Sequence, residues 1–170
     1  MTGGTPSRDD PAATEQIKQL KARYFRLLDT QRWEAWAEVF AEDAVMDVSD
    51  DTGDADSGLV RGRARIVKAV SRALSGARTV HHGHMPEIEI IDANHASGIW
   101  AMRDTVDYAS AGEPPRGISG SGWYHETYER ADGAWRITSM RLERLRVCLL
   151  YTSPSPRDQR EHLVCRLLRE

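Results

Sequence analysis

Gly98-Ile99-Trp100-Ala101-Met102-Arg103-Asp104-Thr105-Val106 sets an aspartate inside a largely apolar run. Read as a strand, its side chains alternate faces with period two. Gly98, Trp100, Met102, Asp104 and Val106 then share one face, and its composition makes that face the buried one. Working outward, the same β character covers 80–91, 95–109, 118–130 and 134–147. Asn94 marks the turn before the decisive strand, and the Gly/Pro-rich segment from Ser110 to Gly117 the turn after it. Asp132-Gly133, between Tyr128 and Trp135, is a two-residue hairpin signal.

Upstream the period changes. Ile17, Leu20, Tyr24, Leu27 and Leu28 recur at helical spacing between Pro11 and Leu28, with Thr14 as a candidate N-cap or first-turn residue. Asp29-Thr30 ends that pattern. A short helix is expected from Trp33 to Phe40, a strand from Ala44 to Val48, and an amphipathic helix from Gly62 to Leu74. The acidic, aperiodic Asp50 to Gly58 reads as a loop. Helices followed by long antiparallel strands define an α+β class, with helices on one face of a curved sheet around a pocket.

The chain has 170 residues, 40% hydrophobic and 29% charged, enough for one domain with a core. A net charge of -3 argues against nucleic acid as the main partner. No apolar run reaches the length of a membrane span. The N-terminal segment lacks the apolar stretch of a signal peptide, so residues 1–13 read as a disordered tail and the protein as cytoplasmic. After Val147 the composition shifts abruptly. Cys148-Leu149-Leu150-Tyr151-Thr152-Ser153-Pro154-Ser155-Pro156-Arg157-Asp158 and His162-Leu163-Val164-Cys165-Arg166-Leu167-Leu168 resemble, in order, the translation of a transposase-type sequencing adapter. Residues 148–170 are therefore read as a non-native tail, with a Pro-turn and short helix as the alternative. Both cysteines lie there, which leaves residues 14–147 with neither a disulfide nor a thiol nucleophile.

A carboxylate on a buried face is costly without a partner. His81, His82 and His84 are candidate partners for Asp104, and a buried carboxylate–imidazole pair beside apolar surface suggests proton transfer. The structural alternative is that Asp104 pairs with the neighbourhood of Arg103 or with another basic group. Parity leaves His81 and His82 both open, because Pro86 can introduce a bulge. His82 and His84 share strand parity, but no further ligand spacing completes a metal site, so no metal or cofactor is expected. Trp100, Met102 and Trp123 read as pocket lining that would contact a hydrophobic substrate. Arg136, Arg141, Arg144 and Arg146 read as a solvated strand face or a subunit contact.

The element order resembles the nuclear transport factor 2-like fold, a cone with a central pocket. The run from Tyr24 to Trp33, then Phe40-Ala41-Glu42-Asp43-Ala44, and Val80-His81-His82-Gly83-His84 narrow the resemblance to SnoaL-like proteins. Within that group the chain resembles bile-acid 7α-dehydratase and scytalone dehydratase. The resemblance implies Tyr24, Asp29, His81 and Asp104 as catalytic residues, and favours His81 over His82. Tyr24 and Asp29 stand five apart, and His81 and Asp104 stand 23 apart, as in the bile-acid enzyme. Leu28 and Val48 occupy positions where scytalone dehydratase has tyrosines, so a steroid-type arrangement fits better than the scytalone substrate. The expected activity is a cofactor-free lyase or isomerase acting on a hydrophobic cyclic carbonyl compound, steroid- or polyketide-like. His81 would be the base, Asp104 its orienting partner, Tyr24 a donor to the enolate, and Asp29 a group orienting Tyr24 or a water or helping to protonate the departing hydroxyl. The alternatives are a non-catalytic binding or dimerisation module and the small subunit of an aromatic-ring dioxygenase. A homodimer is implied by resemblance.

Overall fold

The computed structural model describes residues 10–53, 58–108 and 116–151. The expectations for the extreme N-terminus, for the middle of the acidic loop, for most of the Ser110–Gly117 turn and for the tail beyond Tyr151 lie outside those residues.

Chain order runs α1 Pro11–Asp29, α2 Trp33–Ala37, β1 Phe40–Asp47, α3 Ser49–Thr52, β2 Leu59–Arg61, α4 Arg63–Ala73, β3 Arg78–Ile90, β4 His95–Asp107, β5 Arg116–Ala131 and β6 Ala134–Tyr151. The strands form one mixed, curved, unclosed sheet in the order β2-β1-β6-β5-β4-β3. Among the described residues, the β1–β6 pairing is parallel and the other four pairings are antiparallel. The α+β class and the helix-then-strand order therefore stand as read.

Several boundaries differ from the sequence reading for identifiable reasons. Asp10, not Thr14, caps α1: its Oδ1 accepts from the Ala12 and Ala13 amides at 3.0 Å, with Pro11 at the first helical position. The acidic segment contains α3 and its C-cap Gly53, and β2 then hydrogen-bonds to β1. Helix α3 has four residues and β2 three, too few to show periodicity. β6 does not stop where the composition changes: Cys148 to Tyr151 pair with Ser119 to Arg116, because backbone pairing ignores side-chain composition. The Asp132-Gly133 turn has both residues at positive φ (53° and 77°), the type I′ geometry that matches strand twist.

Period two is explicit in β4, where Ala96, Gly98, Trp100, Met102, Asp104 and Val106 are buried and their neighbours are not. β5 buries Gly120, Gly122, Tyr124, Glu126 and Tyr128 on the same side. Against this inner face lies the apolar stripe of α1: Ile17, Leu20, Tyr24, Leu27 and Leu28. Trp36, Phe40 and Tyr24 meet edge-on or tilted at 4.9–5.9 Å and fill the space beneath the helix.

Candidate active site

The last residue of α1 reaches β3. Asp29 Oδ1 lies 2.6 Å from His81 Nδ1 and accepts from the Thr79 hydroxyl at 2.8 Å, while Oδ2 accepts from the His81 amide at 2.9 Å. Asp29 does not cap α2, whose N-cap position is Arg32 and which has no side-chain cap hydrogen bond. Gln31, in the left-handed region at φ 51°, donates to the carbonyls of Leu74 and Ala77 and anchors the end of α1 to the end of α4. Burial pushes the Asp29 carboxyl upward. The hydrogen bonds from His81 and Thr79 and the charge of His81 outweigh it, so its pKa lies below the usual carboxylate value. A carboxylate on Nδ1 fixes that nitrogen as the protonated one and leaves Nε2 its lone pair when the ring is neutral.

His81 faces inward and its side chain is 7% exposed. The bulge falls between His84 and Glu87, downstream of His81, so it does not disturb the parity at His81. His82 and His84 lie on the other face and stack on each other at 6.0 Å.

The expected His81–Asp104 hydrogen bond is replaced by two separate pairs. His81 and Asp104 are direct cross-strand partners, so they are neighbours on the inner face. Asp104, however, is held by Arg144: Nη1 donates to Oδ1 at 2.9 Å and Nη2 to Oδ2 at 2.7 Å. Arg144 also donates from Nε and Nη2 to Asp51 of α3, at 2.7 and 3.1 Å, and its amide to Asp50. Far from being solvated, the Arg144 side chain is 7% exposed. Desolvation opposes its charge, but Asp51 and Asp104 more than offset this and raise its pKa beyond its ordinary value. Gly120 makes the approach possible, because a Cβ there would sit 2.3 Å from Arg144 Nη1 and 2.7 Å from Asp104 Oδ1.

Arg144 is the residue that sequence reasoning missed. The parity signal was present: Met140, Leu142 and Arg144 share one face of β6, and the first two are buried. Trp123 requires the converse correction. It sits opposite Ala101 and Glu143 on the outer face, while Tyr124 takes the inward position, so it does not line the interior with Trp100 and Met102.

Tyr24 is buried, with its hydroxyl 3.5 Å from Met140 Sδ. Burial, then the charges of Glu126, Asp29 and Asp104, raise its pKa well above the ordinary phenol value, so it keeps its proton. Tyr24, Asp29, His81 and Asp104 thus come together on one side of the sheet, with Phe25 stacked against His81 at 6.4 Å. Two surface grooves among the described residues lie away from this cluster. A groove of about 600 Å³ crosses the outer face around Ile99, His125, Thr127 and Arg141, and one of about 370 Å³ lies between α1 and α2. No helix among the described residues is long and apolar enough to cross a membrane.

This architecture recurs in known proteins. A probable cyclase, FGR4, of Gibberella zeae is 25% identical over 145 residues, covering 79% of this chain and 93% of its own. The solved structure of a single-residue variant of Rv3472, a protein of unknown function from Mycobacterium tuberculosis, is 28% identical. It has a TM-score of 0.66 and covers 81% of this chain and 79% of its own. A scytalone dehydratase-like protein of Novosphingobium aromaticivorans aligns with a TM-score of 0.69 at 19% identity, over 85% and 91% of the two chains, which establishes the shared fold alone. The sequence profile of the SnoaL-like domain matches residues 10–141, from the cap of α1 into β6, and the chain belongs to the SnoaL-like family.

Proposed function

We propose that the protein is a cofactor-free lyase or isomerase in which His81 Nε2 removes a carbon-bound proton next to a carbonyl. The observation that carries this reading is the 2.6 Å contact between Asp29 and His81 Nδ1, with the His81 ring largely shielded from solvent. Compared with the expectation from sequence, Asp29 takes the orienting role, and Asp104 becomes a neighbour of the base that is paired with Arg144.

Proton removal moves charge onto the carbonyl oxygen, which calls for donors not already committed to strong acceptors. Two donors on the inner face have thioethers in reach: the Tyr24 hydroxyl at Met140 Sδ, and Arg144 Nη1, whose second neighbour is Met102 Sδ at 3.7 Å. Sulfur is a weak acceptor, so an enolate oxygen would displace it at little cost. In a dehydration, the enolate electron pair re-forms the carbonyl and shifts the double bond as the β C–O bond breaks. The hydroxyl takes the proton from the His81 imidazolium and leaves as water. In an isomerisation, the same proton returns to another carbon. The relative named as a probable cyclase supports an enzymatic reading. A fused-ring, steroid- or polyketide-like substrate suits the aromatic and thioether surround.

Turnover of a panel of fused-ring β-hydroxy ketones and β,γ-enones tests this. His81→Ala and Asp29→Asn should each reduce the rate by about 10²–10⁴-fold, the usual share of general acid–base catalysis. Unchanged turnover in both variants would abandon the assignment. The second reading, a binding or dimerisation module, draws on the outer-face groove. It gains if a second copy or a ligand occupies that groove and no panel member is converted.

A further inference from the structure

A second buried charged group lies on the inner face, outside the chemistry above. Lys21 of α1 contacts Glu126 of β5, and the two side chains are 1% and 0% exposed. The other Glu126 oxygen accepts from the Tyr128 hydroxyl at 2.5 Å, which in turn accepts from Trp100 Nε1 at 2.8 Å. The ammonium also lies 4.1 and 3.9 Å from the ring centres of Tyr24 and Tyr124. Burial draws the Lys21 pKa down, against the opposing charge and hydrogen bond of Glu126.

Such a pair is a poor source of stability, since desolvation of both ions offsets their attraction. What it supplies is direction. Apart from Asp29, the Gln31 anchor to α4 and the weak Tyr24–Met140 contact, α1 packs through an apolar stripe, which tolerates sliding because the hydrophobic effect is non-directional. Lys21 and Asp29 are eight residues apart, about 12 Å along the axis. Each is fastened to a different strand, β5 and β3. Two directional contacts that far apart fix both the translation and the rotation of the helix on the sheet.

We infer that Lys21 and Glu126 are positioning residues: their contact sets where α1 sits along the sheet and thereby holds Asp29 on His81. The inference builds on the reading of Asp29–His81 as the working pair. Its test uses titration rather than turnover, so the two can fail separately. Lys21→Met with Glu126→Gln removes both charges and leaves Tyr128 an acceptor. Thermal unfolding is followed alongside the Asp29 side-chain carboxyl titration by carbon NMR. The expected result is a folded variant in which the Asp29 carboxyl titrates about one pH unit higher, as its His81 contacts lengthen. Should that variant not fold, Glu126→Asp, which keeps the charge and shortens the reach by one methylene, is read the same way. An Asp29 titration identical to wild type in either folded variant overturns the inference, whatever Asp29→Asn does to turnover.

Discussion

At the Lys21 end of the inner face, charges match one to one and water is excluded. Lys21 meets Glu126, and Tyr128 and Trp100 complete the remaining hydrogen bonds. At the other end, Asp29, Asp51 and Asp104 face one guanidinium and one imidazole, and the Asp29 and Asp51 side chains are 21% and 32% exposed. The first end is closed and internally satisfied, as a structural contact should be. The second carries an excess of acid, donors resting on sulfur, and a route to solvent. Chemistry belongs where charges are imperfectly matched and reachable.

Breaking the open end at its buried arginine should have the largest effect on stability. Arg144→Met leaves Asp104 buried and unpaired, which should cost about 3–5 kcal/mol by urea denaturation. Adding Asp104→Leu should recover most of that loss, because no orphaned charge remains. A double variant as unstable as the single would mean that the arginine stabilises mainly through Asp51 and α3.

A smaller effect comes with pH. Because Asp29 is lowered in the folded state, its contribution to stability is fully present above the ordinary carboxylate value near 3.9. It disappears as pH falls through the lower folded value. Wild type should therefore lose more stability than Asp29→Asn between about pH 5 and pH 2, measured as the difference between their urea midpoints. Parallel curves would show that Asp29 gains nothing from His81. The smallest effect is expected on the outer face: Trp123→Phe should leave turnover within about twofold, because Trp123 does not share the inner face with His81.

Much of this was legible in the sequence, because the two periods are strong. The alternation around Asp104 and the stripe from Ile17 to Leu28 defined the sheet face and the helix that covers it. The partner of Asp104 was not legible from proximity in sequence. Arg144 arrives from a strand two places away in the sheet, over Gly120, and only the inward parity of Met140 and Leu142 hinted at it. Trp123 was misassigned because aromatic character was weighed above parity, although Tyr124 beside it competes for the same inward place. The Lys21–Glu126 pair was hidden by the usual preference of lysine for solvent on a helix.

The central claim is that His81, with its tautomer set by Asp29, takes a proton from carbon. Deuterium exchange next to the carbonyl of 2-decalone, a fused-ring ketone without a leaving group, tests this step apart from elimination. In D2O the wild-type protein should accelerate exchange over buffer, and Asp29→Asn should reduce that acceleration by about 100-fold. Equal exchange by wild type and Asp29→Asn, or none above buffer, would contradict it.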